Sequence, residues 1–330
     1  QILCLDGGGI RGIISTRILM HIEAITRSTI FNLFDTIAGT STGGILTIGI
    51  AKGMSLLQIM EMYFKFKEMM FHGARPYDTE KLEKYLKQEF GENVRLGDLV
   101  GPKIMLMSVL ADRMPAELHI FKNYEIPGAG HVAYHSTDKR FPPLPKPKDE
   151  YVWKALRATT AATSYFKAYG RFIDGAYIAN NPTLDVLTEM FKLMKAHENN
   201  EDCTVKPIHI VVSVGTGKLP VKKVEVCDIQ MPRSIWELPN FFSNFMNVSE
   251  LLIDQTFQPE GHIVHRAAAW CGMIGAPFFR LNPTISQMVE LDCKDDLILV
   301  NILWETECYI EKNKAVLDQL CRLLVESRQI

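Results

Sequence analysis

Short apolar runs, glycine-rich turns and helical patterns alternate along the first fifty residues of the chain. Residues 1–5 have the pattern of a buried strand and lead through a run of glycines into a predicted helix over 10–26. A second apolar run over 34–38 is interrupted at Gly39 and continues as a predicted helix over 45–51. Two strand–turn–helix units in succession favour a parallel or mixed sheet covered by helices. The sequence therefore predicts an α/β fold.

The rest of the chain continues these patterns and gives no sign of a second domain. Four prolines within 141–148 predict a surface loop. Neither an internal repeat nor a low-complexity tract is present, so residues 1–330 are predicted to form one domain. Further helices are predicted over 54–71, 79–90, 153–163, 182–197 and about 297–326, and further strands over 103–111, 117–124, 171–173 and 207–214.

The composition argues against several classes of protein. The 330 residues are 47% apolar and 22% charged, with a net charge of −2, so no basic field indicates a nucleic-acid partner. The longest uncharged stretch, 36–51, is shorter than the roughly 18 residues of a membrane-spanning helix. Seven cysteines without a Cys-x-x-Cys pair argue against a disulfide framework and a zinc site. We expect a reducing, cytoplasmic compartment.

The first candidate for chemistry is the Gly-x-Ser-x-Gly motif at 39–43, between a predicted strand and a predicted helix. Its glycines, Gly39 and Gly43, permit a sharp turn that exposes the hydroxyl group of Ser41, and the positive end of the next helix points at the site. This arrangement is typical of a serine nucleophile. The motif alone is equally compatible with a serine that caps a helix after a glycine turn.

The second candidate is the glycine loop, which we define as residues 6–12, again between a strand and a helix. Unobstructed amide groups at the start of a helix can hold an anion, and in acyl transfer they stabilise the oxyanion of the tetrahedral intermediate. Arg11 is interpreted as an anchor of the loop or a source of positive potential. The loop consists of Asp6, Gly7, Gly8, Gly9, Ile10, Arg11 and Gly12.

The glycine loop also fits Gly-x-Gly-x-x-Gly, the fingerprint of dinucleotide binding, through Gly7, Gly9 and Gly12. That fingerprint requires an acidic residue at the end of the second strand. The nearest candidate, Asp35, precedes the second apolar run, so a dinucleotide site is the weaker interpretation. A phosphate-binding P-loop is excluded because Ile13 occupies the position of the required lysine.

The third candidate is Asp174-Gly175-Ala176, which follows a short predicted strand. Asp174 is a candidate base for a serine nucleophile, although an isolated Asp-Gly pair more often marks a turn. A Ser–Asp–His order would need a histidine further along the chain. His209 lies within a predicted strand, and no histidine follows a convincing loop motif; the four that come later than Asp174 are His197, His209, His262 and His265.

Together these three motifs resemble the patatin-like phospholipase family, and in particular its calcium-independent phospholipases A2 with ankyrin repeats. The resemblance extends over almost the whole chain, including 31–46, 113–124, 170–184, 211–217, 278–283 and 300–309. It implies a Ser41–Asp174 dyad, an oxyanion hole on Gly7, Gly8 and Gly9, and a three-layer α/β/α fold with a mixed, mostly parallel sheet. Asp6, Arg11, Gly12, Gly39, Gly43 and Gly175 support these groups in the family's motifs.

The resemblance also implies an activity and its setting. We expect hydrolysis of glycerophospholipids to free fatty acid and lysophospholipid, with lysophospholipase and acyl-thioesterase side activities. No cofactor and no metal are expected, because the sequence contains no calcium-binding loop and no metal-ligand spacing. The resemblance further implies a homodimer and ankyrin repeats that precede Gln1. Peripheral attachment to membranes, mitochondrial membranes among them, is the expected localisation.

Three segments are candidates for contact with lipid or with a protein partner. Residues 54–71 combine large apolar side chains with lysines, although an ordinary core-facing helix is the simpler interpretation. Residues 236–257 contain Phe241, Phe242 and Phe245 and are a comparable candidate for an interfacial helix. Residues 264–281 resemble a segment linked to calmodulin binding in related phospholipases. Pro277 interrupts that segment, so a core helix followed by a strand is the simpler prediction.

Overall fold

The computed structural model describes residues 1–127, 141–198, 207–221, 223, 231, 234 and 238–328. Its strands are β1 (Ile2–Leu5), β2 (Thr36–Thr40), β3 (Lys103–Leu110), β4 (Glu117–Lys122), β5 (Phe172–Asp174), β6 (Val211–Val214) and β7 (Phe278–Leu281). Its helices are α1 (Gly12–Thr26), α2 (Ile30–Leu33), α3 (Thr42–Ala51), α4 (Leu56–Met70), α5 (Thr79–Phe90), α6 (Val152–Thr159), α7 (Ala176–Ala179), α8 (Thr183–Glu198), α9 (Leu238–Phe257), α10 (His262–Met273), α11 (Asp296–Lys312) and α12 (Lys314–Glu326).

The seven strands form one mixed sheet in the order β4-β3-β2-β1-β6-β7, with β5 paired to β3. The run from β3 through β2, β1 and β6 to β7 is parallel, whereas β4 and β5 are antiparallel to β3. The loops that follow β1, β2 and β6 therefore meet at one edge of the sheet. Ligands of open α/β sheets bind at this carboxyl edge.

Alternating strand residues divide the core into two layers, because successive side chains point to opposite faces of a sheet. Leu3 and Leu5 belong to the larger layer, which includes buried residues of α1, α3, α4, α6, α11 and α12. Ile2 and Cys4 belong to the smaller layer, which includes buried residues of α7, α8 and α10. Helices thus cover both faces. The prediction of a three-layer α/β/α fold with a mostly parallel sheet is confirmed.

The predicted elements are present, and the differences lie mainly at their ends. The second strand extends through Gly39 to Thr40, and the helix predicted over 153–163 ends at Thr159. The long helix predicted over 297–326 is two helices separated at Asn313. The strand predicted from 207 begins only at Val211, so the prediction that His209 lies within it is wrong; its side chain is exposed.

The structure also tests two of the three surface segments. In α4 the side chains of Leu56, Ile59, Met62 and Met70 are buried, which confirms a core-facing helix. Residues 264–281 form the end of α10 and strand β7, which confirms the simpler prediction of a helix followed by a strand. No helix in the described residues is long and apolar enough to cross a membrane.

The cysteines of the described regions carry free thiols, at Cys4, Cys271, Cys293, Cys308 and Cys321. Cys203 and Cys227, like Trp236 of the predicted interfacial helix, lie outside the described residues.

Candidate active site

Ser41 occupies the tight turn between β2 and α3 and has a strained backbone. Its φ of 53° and ψ of −117° lie in a region that residues other than glycine rarely adopt. The flanking glycines permit the turn because there is no space for side chains: a Cβ on Gly39 would lie 2.2 Å from the carbonyl carbon of Gly43, and one on Gly43 would lie 2.3 Å from the carbonyl oxygen of Leu5. Such strain is found where a fold fixes a functional group.

The hydroxyl group of Ser41 donates a hydrogen bond to Asp174, with 2.7 Å between Oγ and Oδ2. Asp174 ends β5, and its Oδ1 accepts from the amide of Ala176 at 2.8 Å. The turn at Gly175 packs directly against β3. It requires glycine, because a Cβ there would lie 2.2 Å from the carbonyl oxygen of Met107. The fold thus joins two residues that are 133 positions apart.

The environment of Asp174 favours its role as a proton acceptor. Its side chain is only 1% exposed, and burial raises the pKa of the carboxyl group to about 7, against the opposing effect of the Ala176 amide and the Ser41 hydroxyl. A carboxylate with a pKa near 7 is a much stronger base than one in water, whose pKa is about 4. Within the described residues the hydroxyl of Ser41 has no histidine partner.

The glycine loop lies directly against the serine. A Cβ on Gly7 would lie 3.4 Å from the Cβ of Ser41, and one on Gly12 would lie 2.6 Å from the hydroxyl oxygen of Thr42. Gly9 has a φ of +58°, which glycine adopts without strain. The second half of the loop is a short 3₁₀ turn, Gly9–Arg11, and α1 begins at Gly12, so the amides of the loop stand at a helix start.

The amides of the loop differ in their hydrogen bonding. The amide of Gly7 donates to the carbonyl of Asn180 at 3.1 Å, and that of Ile10 donates to the carbonyl of Leu291 at 2.8 Å. In the described part of the chain, no carbonyl accepts from the amides of Gly8 and Gly9. These two amides are therefore available as donors to a bound ligand, whereas the amide of Gly7 already has an acceptor.

The charged residues of the loop are both buried. Arg11 donates from Nη1 to the carbonyl of Gly217 at 3.4 Å, which anchors the loop as the sequence suggests. Asp6 forms an ion pair with Arg280, at 2.6 Å between Oδ2 and Nη2. Burial raises the pKa of Asp6 to about 6, although Arg280 opposes that rise.

The structure adds residues that the motifs did not indicate. Thr159, the last residue of α6, accepts a hydrogen bond from the amide of Ser41 on its hydroxyl oxygen at 2.9 Å. The hydroxyl of Thr216 donates to the carbonyl of Gly7 at 2.8 Å. Arg280 and Asn180 are the other additions. Asn180 lies in Asn180-Asn181-Pro182, shortly after the aspartate motif. No local sequence pattern predicts the contacts of either residue.

The geometry also bears on the dinucleotide interpretation. Asp35 immediately precedes β2, whereas the glycine loop follows β1. Because β1 and β2 are parallel, Asp35 lies at the opposite edge of the sheet from the loop and could not reach a ribose bound there. The described residues contain no cluster of three or more His, Cys, Asp or Glu side chains that could hold a metal ion.

The fold and the site together define a class of protein, and sequence comparison gives the same result. The family model described as patatin-like phospholipase matches residues 3–187, more than half of the chain. The chain belongs to the patatin-like phospholipase family.

Within the family, the relatives found include the 85/88 kDa calcium-independent phospholipases A2 of Rattus norvegicus and Mus musculus. Each is 41% identical over 332 residues, which cover 98% of this chain and 40% of the relative. An intracellular phospholipase A2 of Caenorhabditis elegans is 31% identical over 98% of this chain and 29% of its own length. This chain therefore spans about two fifths, or less, of the length of these relatives.

Proposed function

We propose that this chain is a calcium-independent phospholipase A2-type serine acyl hydrolase in which Ser41 is the nucleophile and Asp174 is its base. The observation that carries the proposal is the 2.7 Å hydrogen bond from a strained, turn-held serine to a buried carboxylate. The names of the rat, mouse and worm relatives support phospholipid as the substrate.

The proposed reaction has two halves. In the first, Asp174 takes the proton of Ser41 as Oγ attacks the ester carbonyl, and the amides of Gly8 and Gly9 stabilise the oxyanion. The intermediate collapses when its bond to the leaving oxygen breaks; that oxygen takes the proton from Asp174, and lysophospholipid departs. In the second half, Asp174 accepts a proton from a water molecule that attacks the acyl-serine. Collapse returns the proton to Ser41 and releases the fatty acid.

Nothing in this chemistry restricts the dyad to one ester position. Lysophospholipase and acyl-thioesterase side activities are therefore part of the proposal, because an acyl-serine forms equally from lysophospholipids and thioesters.

The test is covalent labelling with a fluorophosphonate serine probe in excess chelator, on wild type, Ser41→Ala and Ser55→Ala. Ser55 caps α4 through the amide of Gln58 and is a matched serine at a helix start. We expect labelling of wild type and Ser55→Ala and none of Ser41→Ala. Absence of labelling in folded wild type would instead support a lipid-binding scaffold without turnover, and loss of labelling in chelator would contradict independence from calcium.

Association with the membrane surface is proposed through α9. Its apolar side chains include Phe242, Phe245 and Met246, which are 58%, 47% and 64% exposed. Phe241 stacks on Phe245 with 6.2 Å between ring centroids, so the aromatic groups form one cluster. Exposed apolar groups of this size on one helix are typical of an interfacial element.

Charge substitution tests this surface. In Phe242→Asp and Phe245→Asp we expect binding to phosphatidylcholine vesicles to weaken by about 10-fold or more, because a charge replaces an apolar group that would enter the interface. Hydrolysis of a water-soluble ester should stay near the wild-type rate. Val100→Glu is the control, since Val100 is 84% exposed but precedes β3, at the opposite edge of the sheet. An equal loss of vesicle binding and of ester hydrolysis would mean that the two phenylalanines support the fold.

Calmodulin is not part of the proposal. The segment predicted as its candidate contains β7, which pairs with β6, and Arg280 within it is held in buried ion pairs. Binding as one continuous helix would require removal of that strand from the sheet. Homodimerisation and attachment to mitochondrial membranes stay predictions from the family resemblance.

A further inference from the structure

The glycine loop begins with a buried ion pair that crosses the sheet. Asp6 is fully buried at the end of β1, and its carboxylate accepts from Arg280 of β7 at 2.6 Å. Strand β6 lies between these two strands, and Arg280 bridges it by donating from Nη1 to the hydroxyl of Ser213 at 2.8 Å. Only 10% of the Arg280 side chain is exposed. The mechanism assigns this pair no chemical step.

A second carboxylate holds Arg280 from the other side. Glu260, in the turn between α9 and α10, accepts on Oε1 from Nη2 of Arg280 at 2.5 Å and from Nε at 2.9 Å. The same oxygen accepts from Nδ2 of Asn282 at 2.6 Å. Glu260 therefore accepts hydrogen bonds from two side chains, that of Arg280 in β7 and that of Asn282 directly after β7.

Asn282 continues the network to the other end of the glycine loop. Its Oδ1 accepts from the amide of Gly217 at 2.8 Å, and the carbonyl of Gly217 accepts from Arg11 at 3.4 Å. Asp6, the first residue of the glycine loop, and Arg11, its next-to-last residue, are thus both connected to Glu260. One path runs through Arg280, and the other runs through Asn282 and Gly217.

We propose that Arg280 and Glu260 are positioning residues of the site, which align the glycine loop so that the amides of Gly8 and Gly9 face the oxyanion. The inference rests on the proposed function. Neither side chain touches the reacting atoms. Without Arg280, the Asp6 carboxylate is left in a dry site without a counter-ion, and the loop must shift to admit water or a proton.

The kinetic test compares Arg280→Lys, Arg280→Met and Glu260→Gln with Arg17→Met, which breaks a pair between α1 and Glu307 of α11. For a soluble ester we expect kcat to fall about 10- to 100-fold in Arg280→Met with KM nearly unchanged, since a displaced donor acts mainly on the transition state. Arg280→Lys should recover part of the loss, and Arg17→Met should match wild type.

Binding of a trifluoromethyl ketone distinguishes a misaligned glycine loop from a loss of folded protein. This inhibitor forms an oxyanion like that of the tetrahedral intermediate, so its affinity depends on the position of the loop amides. We expect its inhibition constant to rise in proportion to the loss of kcat/KM across the series. A variant with fewer folded molecules but an unchanged inhibition constant would overturn the proposal. If Arg280→Met does not fold, Glu260→Gln retains the shape of a residue that is 19% exposed and carries the test.

Hydrogen exchange over residues 1–14 gives a readout that does not need turnover. Exchange of the Gly7 amide, which donates to Asn180, should be faster in Arg280→Met and Glu260→Gln but not in Arg17→Met. Unchanged exchange together with unchanged kcat would overturn the positioning role. If wild type hydrolyses no ester, the proposed function fails, and the exchange result alone decides whether the network holds the loop.

Discussion

Ester turnover is expected to fall by about 10⁴-fold in Asp174→Asn, because the amide cannot accept the proton of Ser41. The variant keeps the shape of the side chain and an oxygen for the amide of Ala176, which donates to Asp174 at 2.8 Å. The fold should therefore be intact. The measurement is kcat/KM for a soluble ester, with circular dichroism as the check of folding.

The same variant should be more stable than wild type above neutral pH. The pKa of Asp174 rises from about 4 in the unfolded chain to about 7 in the folded protein. The folded state therefore holds its proton more tightly, and stability from this group is present below pH 4 and is lost as the pH rises to 7. At pH 8 we expect the free energy of unfolding of Asp174→Asn to exceed that of wild type by a few kcal/mol. This is the free energy that corresponds to a pKa difference on the order of three between the folded and unfolded states.

The comparison at two pH values makes the expectation specific. At pH 4 to 5 the carboxyl group is mostly protonated in the folded protein, so the gain from Asp174→Asn should shrink. Ser41→Ala is the control, because it removes the nucleophile but leaves the buried carboxylate and its pH dependence. Turnover above a tenth of wild type in Asp174→Asn, or the same gain in stability at both pH values, would contradict the assigned role of Asp174.

Gly43→Ala is expected to destabilise the protein by about 3 kcal/mol and to abolish labelling of the serine. Its Cβ would lie 2.3 Å from the carbonyl oxygen of Leu5 and 2.8 Å from that of Asp6. These are backbone atoms at the end of β1, so no rotamer can relieve the clash. Either α3 or the glycine loop must move, and both hold the site. Denaturant unfolding and probe labelling are the measurements.

Gly272→Ala is the matched control for this steric argument. Gly272 lies in α10, and a Cβ there would meet no atom within 4 Å, so we expect a small gain in stability of about 0.5–1 kcal/mol from the higher helix propensity of alanine. If Gly43→Ala unfolds at the same denaturant concentration as Gly272→Ala, close approach of the backbones is not what requires glycine at position 43.

The features that could be predicted from sequence are those carried by a few neighbouring residues. The strand–turn–helix units, the serine turn at 39–43 and the glycine loop all have local patterns, and each is present at its predicted place. Asp174 is different, because a single Asp-Gly pair says little and only the family resemblance joined it to Ser41. The hydrogen bond between them then follows from the pairing of β5 with β3.

The network that surrounds the loop could not be predicted, because its members come from distant parts of the chain. Asp6 and Arg280 are 274 positions apart, and neither the register of β7 nor the turn that contains Glu260 has a local sequence signal. For the same reason, no local pattern indicated that the amide of Gly7 already has an acceptor. Long-range pairing of strands determines that contact.

Only two residues, Gln258 and Pro259, separate the end of α9 from Glu260. The carbonyls of Phe257 and Pro259 accept from the side chains of Asn180 and Asn181, which places the end of α9 against the turn between α7 and α8. A helix with an exposed aromatic cluster thus leads directly into Glu260, which is connected by hydrogen bonds to Asp6 and Arg11 of the glycine loop. In an enzyme with this connection, contact of the aromatic cluster with aggregated substrate would change the rate of the chemical step as well as the binding of substrate. Its turnover number would therefore increase above the critical micelle concentration of its substrate.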